Sequence, residues 1–135
     1  MIKATDLKIE YLTGNPTIDI VSPKLLWKVQ EAKTQTAYQV KASVDGQEIY
    51  DTGKVRSSVM DHKYQGKLKS RSQVTWKVRL WDEKDICGEW SEKSSFEIGL
   101  LDEKDWVAEW IDPELFHEPE ERQPASYLKK EFLVE

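Results

Sequence analysis

The chain has 135 residues, which suits one domain with an appended segment and a core that folds without a metal or a disulfide. Charged residues make up 33% of it and the net charge is -5, which argues against nucleic-acid binding because such proteins carry a basic patch. The single cysteine, Cys87, excludes an intramolecular disulfide, and the sequence has neither an apolar signal core near Met1 nor a stretch of transmembrane length. These observations predict a cytoplasmic protein without a membrane partner.

Residues 1–100 are predicted to form short strands, because apolar and polar residues alternate between regularly spaced turn residues. Asp45–Gly46 is a strong hairpin signal between two of these strands. About seven strands with turns at this spacing are typical of an antiparallel β-sandwich, an all-β fold. The predicted strands are 7–12, 25–29, 37–44, 48–55, 58–64, 73–82 and 94–100.

Large aromatic residues lie on the predicted inward faces of the strands. We expect Trp27, Tyr38 and Trp76 to pack in the core, because large aromatic side chains dominate sandwich cores. The alternation of the first strand likewise places Leu7, Ile9 and Tyr11 together on its apolar face.

The sequence changes character after Leu100. Asp102 is placed to cap a short helical turn, and Trp106 and Trp110 follow it. An acidic stretch with three prolines then predicts a linker or an extended loop. The last residues are strand-like again, although a lone strand cannot form a domain. The predicted organisation is a sandwich domain at 1–100, a Trp-containing acidic linker at 101–125 and one further strand at 126–135.

Few residues are arranged for catalysis or metal binding. The acidic residues fall in turns, where solvated carboxylates are common. His62 and His117 stand far apart without clustered ligands, and no motif surrounds Cys87. We therefore expect no metal, no cofactor and no catalytic residue, with a site assembled from distant residues left open.

Trp81 and Trp90 leave two interpretations open. Trp81 shares the outward face of its strand with Lys77 and Arg79, and Trp90 precedes the next strand. In the first interpretation Lys77 and Arg79 stack on the Trp90 ring, which contributes about 0.5–2 kcal/mol and rigidifies one edge of the sheet. In the second, Trp81, Trp90 and Tyr50 present free rings as stacking platforms for carbohydrate.

The order and spacing of several motifs resemble the N-terminal part of bacterial α-L-rhamnosidases, glycoside hydrolase family 78. The motifs are the W-x-V-x-x-W-D strand at 76–82, the W-S pair at 90–91 and the G-L-L-D…W…W-I run at 99–111. The resemblance covers nearly the whole chain. It implies an immunoglobulin-like, fibronectin type III β-sandwich of about seven antiparallel strands, with a C-terminal extension.

The same resemblance implies further domains after the sandwich. Residues 126–135 look like the truncated first strand of a second β-sandwich domain, ahead of an (α/α)6 barrel that carries the family's catalytic acids. The chain is then a non-catalytic accessory module of an enzyme that hydrolyses terminal α-L-rhamnosides. Two roles remain: a structural scaffold that meets the next domain through Trp106, Trp110 and Phe132, or a carbohydrate-binding module for rhamnosylated glycans.

One position departs from fibronectin-like domains. These domains often place a tyrosine six residues after a leucine, ahead of the strand that here holds Trp76, in a tyrosine corner. The leucine matches Leu68, but Val74 occupies the tyrosine position. We therefore expect other contacts to fix the loop after Leu68.

Overall fold

The computed structural model describes residues 1–111, 125 and 127–134. Within these residues the regular structure consists of β-strands and one 3-10 turn, Glu103–Asp105, and no helix is long and apolar enough to cross a membrane. The strands are β1 (Lys3–Ile9), β2 (Thr17–Ile18), β3 (Lys24–Gln30), β4 (Ala37–Val44), β5 (Gln47–Asp51), β6 (Val55–Arg56), β7 (Asp61–Lys63), β8 (Gln73–Trp81) and β9 (Ser94–Ile98).

The strands form two sheets that enclose one core. The smaller sheet has the order β1-β3-β7, and the larger has the order β2-β9-β8-β4-β5 with β6 also paired to β4. The β4–β5 hairpin turns at Asp45 and Gly46, whose φ angles of 48 and 84 degrees are those that a two-residue turn requires. The predicted all-β, immunoglobulin-like sandwich is confirmed.

β2 and β6 have only two residues each, too few for an alternating sequence pattern to predict them. β2 pairs with β9 in parallel over two residues, so the larger sheet is not purely antiparallel. The predicted strand at 48–55 is divided into β5 and β6 at Gly53, which has a φ of 62 degrees. β5 and β6 then pair with different ends of β4.

The first strand begins and ends earlier than predicted. Tyr11, expected to point inward, is 69% exposed, because Glu10 and Tyr11 adopt positive φ angles and the strand ends at Ile9. A register shift within β1 also interrupts its alternation. Ile9 is buried, as predicted, and the other buried residues at this end of the chain are Ile2 and Ala4.

The core lies between the two sheets. Trp27, Tyr38 and Trp76 are buried in it, as predicted. Trp27 Nε1 donates to Oε1 of the buried Gln35 at 2.8 Å, so that the indole N–H is satisfied inside the core. Apolar side chains from both sheets complete it: Ile2, Ala4, Ile9, Leu25, Val40, Val74, Val78, Leu80, Phe96 and Ile98.

The loop after Leu68 is held without a tyrosine corner, by the hydrogen bond of the Arg71 N–H to the carbonyl of Ile98 at 2.8 Å and by contacts of Ser70. Ser70 Oγ accepts a hydrogen bond from the backbone N–H of Leu101 at 2.8 Å and donates to the carboxylate of Asp105. Leu101 and Asp105 belong to the chain that leaves the sandwich. Ser70 therefore ties the departing chain to the loop in which the corner would lie.

The described part of the chain after Leu100 contains one short turn and no strand. Asp102 caps the 3-10 turn, as predicted, and its side chain accepts from the backbone N–H of Lys104. In the described part of the chain, residues 127–134 of the strand predicted at 126–135 pair with no other strand. Their place in a further domain stays a prediction. Most of the predicted linker, residues 112–124, lies outside the described residues.

Candidate functional site

Five side chains alternate as cations and tryptophan rings on the outer face of the larger sheet. Lys54 Nζ lies 4.8 Å and the Arg79 guanidinium carbon 5.2 Å from the centre of the Trp81 ring. The same guanidinium carbon lies 4.7 Å from the Trp90 ring centre, and Lys77 Nζ lies 4.9 Å from it. We call Lys54, Trp81, Arg79, Trp90 and Lys77 the cation–π ladder. Each of its two rings is contacted by two of its cations.

The sheet brings the ladder together because residues two apart on a strand share a face. The cations of β8 and Trp81 therefore point outward together. Trp90 reaches the same face because Ser91 pairs with the edge of β8. The N–H of Ser91 donates to the carbonyl of Val78 at 2.8 Å, and the N–H of Val78 donates to Ser91 Oγ at 3.1 Å. The W-S pair thus positions the Trp90 ring beside the cations.

Polar side chains hold two of the three cations of the ladder, Arg79 and Lys54, in place. Arg79 Nε donates to Gln39 Oε1 at 2.9 Å, and Gln39 Nε2 donates to Asp51 Oδ1 at 2.6 Å. Lys54 Nζ lies 2.6 Å from Asp85 Oδ1. The hydrogen bond from Lys54 lowers the pKa of Asp85, and the one from Gln39 lowers the pKa of Asp51. Gln39 lies on the outward face of β4 but is buried in this network.

The ladder decides how the tryptophans can be used. Trp81 is only 8% exposed and Trp90 is half-buried. A sugar ring stacks on a free aromatic face, and cationic side chains already contact both of these rings. The geometry favours the stacking interpretation over a platform of Trp81 and Trp90.

Tyr50 lies away from the ladder, beside an open cavity of about 610 Å³ between the edges of the two sheets. We call this cavity the inter-sheet groove. Tyr50 Oη lies 2.6 Å from His62 Nε2, and Tyr38 Oη lies 3.0 Å from His62 Nδ1. His62 is on β7 of the smaller sheet, and both tyrosines are on the larger one. No sequence signal marks this cluster, because strand periodicity does not say which residues meet between sheets.

Burial governs the titration of the cluster. It lowers the pKa of His62, which favours the neutral imidazole, although the charge of Asp61 acts in the opposite direction. Burial also raises the pKa of Tyr38 and of Tyr50. Both phenols are therefore neutral hydroxyls at ordinary pH.

The three residues expected to contact another domain are all exposed. Trp106 is 60%, Trp110 98% and Phe132 77% exposed. A cavity of about 450 Å³ lies beside Trp106 and is lined by Leu100 and Leu101 together with Asp102 and Glu103. We call residues 106–111 the exit segment, since they follow Asp105, whose carboxylate accepts from Ser70 of the sandwich.

Within residues 1–111, 125 and 127–134, no group of three or more His, Cys, Asp and Glu side chains is placed to hold a metal ion. His117, one of the two histidines considered from the sequence, lies outside these residues.

The topology and the core define the class of the protein as an immunoglobulin-like β-sandwich domain. A family model described as "Rha78A-like, N-terminal immunoglobulin domain" matches residues 4–102. The chain belongs to this family, which confirms the resemblance to the N-terminal part of α-L-rhamnosidases. The match ends at Asp102, where the 3-10 turn begins.

Several relatives share both sequence and fold. An α-L-rhamnosidase of Alteromonas sp. (strain LOR) is 36% identical, and the match covers 98% of this chain and 16% of the relative. The solved structure of an α-L-rhamnosidase from Dictyoglumus thermophilum is 38% identical with a TM-score of 0.74, over 81% of this chain and 14% of that one. The Streptomyces avermitilis α-L-rhamnosidase complexed with L-rhamnose is 33% identical with a TM-score of 0.76, over 83% and 12%. The chain therefore spans less than a fifth of the length of these relatives.

Proposed function

We propose that the chain is the non-catalytic N-terminal module of an α-L-rhamnosidase and serves as a structural scaffold for the domains that come after it. Those domains are a second β-sandwich and an (α/α)6 catalytic barrel, which hydrolyses terminal α-L-rhamnosides. The family match and the small share of each relative that the chain covers support this proposal.

The observation that carries the scaffold role is the exposure of the exit segment. Trp106, Val107, Trp110 and Ile111 all lie largely in solvent, directly after a well-packed sandwich. Soluble domains rarely expose several large apolar residues in one run unless the run meets another surface. The next domain of the same polypeptide is the partner that is always tethered nearby, so its effective concentration at this segment is high.

Ser70 supports the same role. Its hydrogen bonds to Leu101 and Asp105 hold the chain before the 3-10 turn and at the last residue of the turn, immediately before Trp106. The exit segment therefore leaves the sandwich in a fixed direction. A scaffold that orients a following domain needs such a fixed exit, because interdomain interfaces are small and a loose connection permits relative motion.

Trp110→Ala tests the proposal in two settings, the 135-residue chain and the whole polypeptide encoded by the gene. In the chain alone the substitution shifts the free energy of unfolding by less than about 0.5 kcal/mol, because this side chain is exposed. In the whole polypeptide the same substitution lowers the free energy of the first unfolding transition by about 2 kcal/mol or more, as expected for an aromatic anchor buried at an interface.

The control is Ile86→Ala, which removes an exposed apolar side chain from a turn of the sandwich, away from the exit segment. It is expected to be silent in both settings. Scanning calorimetry measures all four combinations. An equal, small effect of Trp110→Ala in the chain and in the whole polypeptide would contradict docking through this segment.

A further inference from the structure

The inter-sheet groove has features of a ligand site. Its volume of about 610 Å³ falls in the range of about 300–1,000 Å³ that is typical of small-molecule sites. It opens between β5 and β6 on one side and β7 on the other, so the two sheets form its walls. Its lining combines aromatic rings with hydroxyl, carboxylate and ammonium groups: Tyr38, Tyr50, Ser57, Asp61, His62 and Lys63.

The Tyr–His–Tyr cluster has one hydroxyl proton that its two internal hydrogen bonds do not use. Neutral His62 carries one ring N–H, so the two tyrosine hydroxyls and the imidazole have three protons for the two hydrogen bonds that join them. If Nδ1 carries the proton, the hydroxyl of Tyr38 is left over. If Nε2 carries it, the hydroxyl of Tyr50 is left over. Both hydroxyls belong to residues that line the groove.

The ring of Tyr50 is held in position for stacking. It packs against the buried ring of Tyr64 with centroids 4.4 Å apart, and its oxygen accepts a hydrogen bond from the backbone N–H of Gln65 at 3.3 Å. The ring is half-buried, so part of it stays accessible from the groove. A fixed aromatic ring loses little conformational entropy when a ligand stacks on it.

The charged groups of the groove select against an anionic ligand. Asp51 and Asp61 place two carboxylates at its wall, against the single ammonium of Lys63. Asp51 is engaged by Gln39 and the N–H of Gly53, which leaves Asp61 as the carboxylate beside Tyr38. The groove thus offers an acceptor, donors and an aromatic surface, with no excess of positive charge.

We propose that the inter-sheet groove binds a neutral saccharide, with Tyr50 as the stacking ring and the hydroxyl cluster and Asp61 as hydrogen-bonding groups. A sugar has hydroxyls that both donate and accept, and it has C–H faces that stack on an aromatic ring. The site shares no residue with the cation–π ladder or the exit segment, although Asp51 of its wall is joined to the ladder through Gln39. It does not rest on the scaffold role, and either proposal can fail while the other stands.

The experiment is a titration of the ¹⁵N-labelled chain with L-rhamnose, a rhamnosylated disaccharide and a neutral plant oligosaccharide, monitored by backbone amide shifts. We expect saturable shifts confined to residues around the groove, with a Kd for at least one sugar on the order of 1 mM, as a shallow site provides. Tyr50→Phe keeps the ring and removes the hydroxyl, and Asp61→Asn removes the acceptor charge. Each is expected to weaken binding about tenfold.

Tyr11→Phe is the matched control, because Tyr11 is exposed and lies outside the groove lining. It is expected to bind like the unaltered chain. The amide spectrum of each variant reports whether the fold is intact, and Asp61→Asn keeps the test valid if Tyr50→Phe unfolds the chain. The proposal is overturned if no sugar produces saturable shifts up to about 100 mM, or if both groove variants bind like Tyr11→Phe.

Discussion

Replacement of Arg79 by methionine is expected to remove the centre of the cation–π ladder and to destabilise the sandwich by about 3 kcal/mol. Arg79 contacts two rings, at 5.2 Å from Trp81 and 4.7 Å from Trp90, and each contact contributes about 1 kcal/mol at a partly buried site. Its hydrogen bond to the buried Gln39 contributes about 1 kcal/mol more. Methionine keeps most of the apolar stem, so the loss reports the guanidinium.

Urea denaturation of the chain, monitored by tryptophan fluorescence, measures this loss. For a domain of this size, about 3 kcal/mol corresponds to a fall in Tm of roughly 10–20 °C. Arg56→Met is the control, because the Arg56 side chain is 75% exposed and its Nη2 lies 3.7 Å from Asp85, an ion pair that contributes little. If Arg79→Met lost less than about 0.5 kcal/mol, the ladder would contribute nothing to stability and the reasoning would be wrong.

Three further predictions concern other parts of the fold. Burial lowers the pKa of His62 in the folded chain. In the unfolded chain His62 takes up a proton at about pH 6.5, while in the folded chain it stays neutral at that pH. The free energy of unfolding therefore falls as the pH drops below about 6.5. His62→Gln should flatten the lower part of a stability profile measured from pH 7 to 5. Gly88→Ala should lower the free energy of unfolding, measured by urea denaturation, by about 3 kcal/mol or more, because the new Cβ would lie 2.0 Å from the backbone oxygen of Ile2. Gly99→Ala is the control and should change it little, because a Cβ there meets only ordinary contacts. Ser70→Ala should speed amide hydrogen exchange at the 3-10 turn without unfolding the core, and unchanged exchange there would show that other contacts fix the exit.

The strands with clear alternation were predictable because burial on one face of a sheet imposes a period of two. β4 and β8 are the best examples, since Tyr38 and Trp76 lie inward and Lys77 and Arg79 lie outward as expected. β2 was not predictable, because a two-residue parallel pairing carries no period. Tyr11 was misassigned because the positive φ angle that ends β1 depends on the turn around it.

The clusters between elements were harder to predict than the strands. Lys77 and Arg79 share the outward face of β8, so their stacking on Trp90 could be expected from the sequence. The contribution of Lys54 could not, because Lys54 comes from the break between β5 and β6. The same holds for the meeting of His62 with the tyrosines of the opposite sheet. Sequence spacing constrains neighbours along one strand and says little about contacts across the sandwich.

The replacement of the tyrosine corner shows how an absence in the sequence can be informative. Val74 at the tyrosine position predicted that the loop after Leu68 needs other contacts. The structure supplies them through the hydrogen bond of the Arg71 N–H to the carbonyl of Ile98 and through Ser70, which bonds the chain that leaves the domain. Leu101 and Asp105, the partners of Ser70, are distant from the loop in sequence. The sequence therefore predicted that other contacts were needed, but not which residues make them.

The most direct test of the scaffold proposal compares three purified proteins: the 135-residue chain, the whole polypeptide encoded by the gene, and that polypeptide without residues 1–100. Hydrolysis of an aryl α-L-rhamnoside and thermal inactivation are measured for each. We predict no turnover by the chain, turnover by the whole polypeptide, and turnover with a lower inactivation temperature for the shortened form. Hydrolysis by the chain alone, or a shortened form as stable as the whole polypeptide, would contradict a non-catalytic scaffold role.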